Sequence, residues 1–171
     1  MVEVTAAQGA RGDDTVAEEK EMTWKAGKNT HENVIYVCFG GMSNTGITAA
    51  LASMEAVKEL GLEKACIGCL AGLPTNVLPV YAKTKAARRV ITVDGCPFQC
   101  SKKIVETAGF KVAKSIVLAR DIGMKKKTLH EDINTKDLKS LMEYISEEDV
   151  RKAKELIVKA ITEEYDEKRD L

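Results

Sequence analysis

No stretch of this chain is apolar for anything near the ~20 residues a helix needs to cross a bilayer. A membrane-spanning protein is therefore not expected, and the N-terminus lacks the charged-then-apolar pattern of a secretory leader. An excess of one charge is missing too, since 26 basic residues meet 26 acidic ones. No whole-protein field exists to gather nucleic acid or an anionic membrane. Histidine is nearly absent, and the two present, His31 and His130, stand alone in no ligand pattern. Five cysteines cannot pair off completely, and a disulfide framework is foreign to a reducing compartment. A soluble cytoplasmic protein with no membrane or nucleic-acid partner is expected. In that setting a cysteine cluster points to metal binding or catalysis.

The 171 residues suffice for one α/β domain with a real core and are too few for two of ordinary size. Residues 1–33 lack sustained apolar periodicity and are rich in Glu, Asp, Gly, Ala and Lys. They predict a disordered or lightly docked tail, because such a segment buries too little surface to offset its ordering entropy. Trp24, the only tryptophan, is its candidate contact with the domain or a partner. The domain proper is placed at residues 34–171.

From Val34 onward, short β-branched runs alternate with helical patterns. Val34–Val37, Lys64–Leu70, Arg89–Val93 and Lys114–Ala119 predict four strands. Asn44 or Thr45 is the expected cap of a helix with Ile47, Leu51, Met54 and Val57 on one face, and Gly61 is its stop. Further helices are predicted from Asn76 to Ala87, and from Pro97 to Ala108 with Pro97 in the first position. Two more follow, from Thr135 to Ile145 and from Glu147 to Glu164. The last carries a Ser146–Asp149 capping pattern and an apolar stripe through Val150, Ala153, Leu156, Ile157, Ala160 and Ile161. This order predicts an α/β fold, a Rossmann-like three-layer sandwich around a mostly parallel sheet of about four strands. No internal repeat is present beyond the strand–turn–helix unit.

The segment Arg89-Val-Ile-Thr-Val-Asp-Gly-Cys-Pro-Phe-Gln-Cys100 places two thiols where a strand becomes a helix. Cys38 and Cys69 follow two other apolar runs. Sites in open parallel sheets form beyond the carboxyl ends of the strands, so Cys38, Cys69, Cys96 and Cys100 are expected to converge there. Within one first helical turn, Cys96 and Cys100 would share a face. Thiolates suit zinc or an iron–sulfur cluster. Cys66, midway along a strand, is expected to be a small buried core residue, with an accessory role as its alternative.

The pieces Cys38-Phe-Gly-Gly-Met-Ser-Asn-Thr-Gly46, Cys69-Leu-Ala-Gly72, Val93-Asp-Gly-Cys-Pro-Phe-Gln-Cys-Ser-Lys-Lys103 and Gly123-Met-Lys-Lys126 carry a resemblance. In this order, over about Val34 to Lys127, the chain resembles the family named for its central Asp-Gly-Cys motif, the DGC domain, to which zinc binding is ascribed. The resemblance implies four metal-chelating cysteines, here Cys38, Cys69, Cys96 and Cys100. Cys69 is preferred to Cys66 because Leu-Ala-Gly follows it. The resemblance implies a site and no reaction. One departure is Phe39, which stands where a small polar residue usually follows the first cysteine and predicts a drier site.

Around the thiols, Asp94 and Gly95 are candidate accessory residues, with helix capping or a turn the plainer role for Asp94. The glycine-rich turn offers Gly40, Gly41, Ser43, Asn44 and Thr45 to an anion, against the alternative of a tight turn that brings a helix close to the sheet. It lacks the Gly-Lys-Ser/Thr ending of a P-loop, which disfavours nucleotide hydrolysis. Lys102, Lys103 and Lys125–Lys127 could offset thiolate charge or attract a small anionic or sulfur-containing ligand, and solvated lysines are the plainer reading. The leading functional expectation is a zinc-binding protein. The alternatives are thiol redox, sulfur transfer or an iron–sulfur protein using Cys96 and Cys100, and a non-catalytic adaptor or homodimer formed through the C-terminal amphipathic helix.

Overall fold

Alternating β-branched and helix-forming segments produce one parallel sheet with helices on both faces. The computed structural model describes residues 3–5, 23–25 and 31–163. Two short strands, β1 (Glu3–Thr5) and β2 (Thr23–Lys25), pair antiparallel and lie beside a helix of the main body. Most of the tail expected over residues 1–33 falls outside the described residues. Trp24 belongs to β2.

The body runs β3 (Asn33–Val37), α1 (Asn44–Leu60), β4 (Ala65–Ile67), α2 (Leu78–Ala86), β5 (Arg89–Asp94), α3 (Cys100–Thr107), β6 (Lys114–Val117), a single-turn α4 (Leu118–Asp121) and α5 (Glu147–Thr162). The sheet order is β4-β3-β5-β6, and every pairing is parallel. The β1–β2 pair lies against α2. This is the expected α/β sandwich with its four strands. Fully covered parallel strands read as continuous apolar runs, and the pleat divides their side chains between two faces. Ile35, Ile91, Val93 and Ile116 pack with α1 and α5, whereas Val34, Tyr36 and Val90 pack with α2, α3 and Leu73. Each fully buried Ile or Val contributes about 1.5–3 kcal/mol relative to exposure. Among the described residues no helix is long and apolar enough to cross a membrane.

Several elements differ from expectation for identifiable reasons. Ser43, rather than Asn44 or Thr45, caps α1, and its hydroxyl accepts the Gly46 N–H at 3.3 Å. The buried face of α1 is built from Ala49, Ala52 and Ala56, whose small side chains let α5 approach, while Met54 faces solvent. Asn76 has φ +54° and lies ahead of α2, which starts at Leu78. The helix expected over Thr135–Ile145 does not form: that range holds only a short 3-10 turn at Leu141–Tyr144, and another 3-10 turn, Leu129–Asp132, precedes it. Local polar groups hold the chain otherwise: Asn134 adopts φ +66°, the Thr135 hydroxyl donates to Asp132 O, and the Tyr144 hydroxyl donates to the Asp132 carboxylate. Leu138, Leu141 and Met142, which carried the helical spacing, are exposed.

The last helix forms as expected, with the Ser146 hydroxyl accepting the Asp149 N–H. Three acidic residues in its first turn complement the helix dipole. At its other end the Arg89 guanidinium donates to the carbonyls of Ala160, Ile161 and Glu163 while bonding Asn33 at the start of β3. Val150, Ala153, Ile157 and Ile161 are buried against α1 within the same chain. The stripe that prompted the dimer expectation is therefore already covered.

Candidate functional site at the carboxyl edge

The sheet order puts a topological switch between β3 and β5. From β3 the chain crosses to β4 on one side, then passes back over β3 to reach β5 on the other. A crevice opens beyond the carboxyl ends of the two strands at such a point. Cys38 directly follows β3, and its N–H donates to Val93 O of β5 at 3.0 Å. Gly95 and Cys96 directly follow β5, and Cys100 opens α3.

Backbone packing holds these turns together. A side-chain carbon on Gly95 would lie 2.5 Å from the carbonyl carbon of Thr45, and one on Gly46 would lie 2.6 Å from Phe39 O. The turn after β5 is thus pressed onto the first turn of α1, which is in turn pressed onto the turn after β3. Only glycine permits either approach.

Asp94 ends β5 and is buried. Its carboxylate accepts the Ser101 N–H at 2.9 Å, the Ser101 hydroxyl at 2.7 Å and the Lys102 N–H at 3.3 Å. These bonds satisfy the free donors at the start of α3, so Asp94 takes the capping role. They also explain why α3 begins at Cys100 and not at Pro97. Pro97 lies in a turn closed by Gln99 N–H on Cys96 O at 3.2 Å, and Gln99 has φ +51°. Cys96 therefore stands before the helix, and the expected sharing of one helical turn by Cys96 and Cys100 is corrected.

The sulfur that reaches Cys38 is that of Cys100. Burial pushes the Cys38 thiol up to about 11, the adjacent Cys100 thiol and the Asp94 carboxylate push the same way, and the Gly40 N–H donated to its sulfur opposes them. Cys38 and Cys96 are half-buried, and Cys100 and Cys69 are exposed. Cys69 flanks the 3-10 turn Leu70–Gly72 past β4. Cys66 packs against Val34, Tyr36 and Leu73, and its thiol is pushed up by burial with Lys83 partly offsetting. Tyr36 is fully buried with its hydroxyl 2.5 Å from Thr84 Oγ1. Burial pushes the Tyr36 phenol up, Thr84 opposes, and the nearby Cys66 and Cys69 thiols add to the rise. Cys66 was expected to be buried in the core and is instead half-buried at its margin. Among the described residues, no three His, Cys, Asp or Glu side chains are already grouped to hold a metal ion. The edge supplies a two-sulfur pair with two further thiols on neighbouring turns.

The glycine-rich turn spends most of its polar groups on itself. Ser43 Oγ donates to Gly40 O and accepts from Gly46, while Thr45 N–H donates to the Asn44 carboxamide. Gly40 and Gly41 both have positive φ, as the reversal requires. Asn44 also straps the Gly123–Leu129 loop across the turn. Its side-chain oxygen accepts the Lys127 N–H at 2.7 Å, and its side-chain nitrogen donates to Lys125 O at 3.0 Å. This loop puts the Lys126 ammonium 5.4 Å from the centre of the Phe98 ring, on the rim of the thiol turn. Lys127 turns away to Asp132, and Lys102 pairs with Glu106. Phe39 and Phe98 are both largely exposed, so Phe39 stands at the rim with its ring toward solvent. Ser101, Phe98 and the Asn44 strap escaped the sequence reading. The Asp-x6-Ser spacing of Asp94 and Ser101 was the one available signal, and it is too common to stand out.

No match is found among curated proteins or among solved structures. Residues 34–145, which contain both interlocked turns, all five cysteines and the strapped loop, match the DGC domain, and the chain belongs to that family.

Proposed function

We propose that this is a zinc-binding protein whose carboxyl-edge thiolates hold the ion, with Cys38 and Cys100 as its first ligands and Cys96 and Cys69 completing the set. The observation that carries the reading is the meeting of Cys38 and Cys100 at the switch point, from positions far apart in the chain. Two sulfurs pressed together resist joint ionisation, and a thiophilic dication relieves that repulsion. The donor set fits zinc in kind. Because no third donor among the described residues is grouped with the pair, the ion itself would draw in the turns bearing Cys96 and Cys69, as is common where metal binding and ordering are coupled. Three sulfurs with an open position would suit catalysis, and four would make a closed structural site. A reducing cytoplasmic location would keep the thiols available.

Metal content of protein purified without added zinc tests the reading. One zinc per chain is expected, lost in Cys38→Ser and Cys100→Ser and kept in Cys66→Ser. Metal-free protein, or full zinc retention in a folded Cys38→Ser/Cys100→Ser double variant, sinks it. A visible absorption band with bound iron would move the assignment to an iron–sulfur cluster.

A further inference from the structure

We propose that Cys38 and Cys100 close reversibly into a disulfide when a peroxide reaches the carboxyl edge, and that this bond is the oxidised, metal-free state of the site. The proposal rests on the metal-binding reading and adds its regulation. Two anchors carry it. The Cys38 amide is bonded to Val93 O at 3.0 Å, and the Ser101 amide and hydroxyl are bonded to the Asp94 carboxylate at 2.9 and 2.7 Å. The two cysteines are therefore tied, directly or through the next residue, to consecutive residues of one strand. The backbones of these turns also lie in close contact at Gly95 and Gly46. Cys100 is the thiol that acts on the Cys38 sulfur. Bridging requires Cα atoms within ~7 Å and converging side chains, the arrangement that such anchoring favours.

The second cysteine pair lacks this geometry. Gly68 N–H still donates to Ile35 O, and Cys69 is extended at φ −76° and ψ 100°. Extended backbone at ~3.3 Å per residue separates Cys66 and Cys69 by roughly 10 Å between Cα atoms, beyond disulfide reach.

Exposure sets the order of events. Cys100 is exposed and Cys38 half-buried, so a peroxide meets Cys100 first. The Cys100 sulfur takes one oxygen of hydrogen peroxide to become a sulfenic acid, and the other oxygen leaves as water. The Cys38 sulfur then attacks the Cys100 sulfur. The S–S bond forms, the S–O bond breaks, and the departing hydroxide takes the Cys38 proton as a second water. Both electrons lost by the thiols end on the peroxide. A dithiol reductant restores the pair by exchange.

The test uses the full chain, reduced and stripped with a chelator, then exposed to hydrogen peroxide. Remaining thiols are blocked and the protein is digested for mass spectrometry, with circular dichroism to verify the fold. Zinc uptake is measured on reduced, oxidised and re-reduced samples. A single cross-linked pair, Cys38 to Cys100, is expected, and it should persist in Cys66→Ser. Zinc uptake should be lost on oxidation and return on reduction. A link between any other two cysteines, over-oxidation of Cys100 without a link, or undiminished zinc uptake by the linked form overturns the proposal. Failure of the metal-binding reading shows separately, as absent zinc uptake by the reduced sample before oxidant is added. That result removes the control of a metal, while the cross-link map alone judges the dithiol.

Discussion

Two thiol neighbourhoods sit side by side on one sheet edge and behave differently. Cys38 and Cys100 flank the switch point, where the turns interlock through their backbones and the two thiols act on one another. Cys66 lies within the outer strand β4 and Cys69 just past it, and both thiols act on the buried Tyr36 phenol. Residue type is the same in both places, and each has one cysteine just past a strand, Cys38 after β3 and Cys69 after β4. What separates them is their company: Cys38 has the Cys100 thiol beside it, whereas Cys66 has the Lys83 ammonium and the Tyr36 phenol.

The most disruptive way to break this contrast is Gly95→Ala. Its new carbon would meet Thr45 backbone at 2.5 Å, and backbone cannot swing aside as a side chain can. A loss of about 3 kcal/mol or more is expected in urea denaturation, together with faster alkylation of Cys38. Unchanged stability would show that the turns are not meshed.

Next in size is Asp94→Ala, which leaves the Ser101 and Lys102 amides without their acceptor. A cost of about 2–3 kcal/mol is expected, with Asp94→Asn recovering part of it. An Asn variant as damaging as Ala would argue against capping.

Tyr36→Phe sharpens the contrast from the other side. It removes the bond to Thr84, whose hydroxyl keeps its own acceptor at Val80 O. About 1 kcal/mol should be lost, with Cys38 alkylation unaltered. A change in Cys38 reactivity would mean that the two neighbourhoods communicate.

The smallest effect is a pH dependence in the metal-free protein. The Cys38 thiol is raised from its ordinary 9.0 to about 11, so the folded state binds its proton more tightly than the unfolded chain. That contribution is fully present below pH 9 and is lost as pH rises through about 11. Denaturation midpoints measured from pH 8 to 11 should fall, less steeply in Cys38→Ala, and identical slopes in the two proteins would refute the assignment. Cys66 shifts in the same direction through burial, so part of the slope should survive the substitution.

Much of this architecture was legible in the chain itself. Continuous runs such as Val34–Val37 and Arg89–Val93 announce strands covered on both faces, and Ser146 marks the start of α5. Elements fixed by tertiary contacts were not. The start of α3 depends on an aspartate six residues upstream reaching back from a strand end, and Ser43 rather than its neighbours caps α1. The Leu138, Leu141 and Met142 spacing mimics an amphipathic helix, yet no core surface receives it, and short polar bonds shape the segment instead. At the site, strand ends bring Cys38 and Cys100 together. Separation along the chain says nothing of how closely Cys69 approaches them, because β4 is an outer strand with its own turn.

The contact of Gly95 with Thr45 and of Gly46 with Phe39 has a consequence for inheritance and engineering. The loop after the first strand and the central Asp-Gly-Cys loop are two halves of one part, shaped like the teeth of a closed zip. Neither half can gain a bulkier residue at its glycine unless the other retreats, so the two should vary as a unit. Transplanting the thiol pair into another parallel sheet would require carrying both loops and the spacing of the strands beneath them.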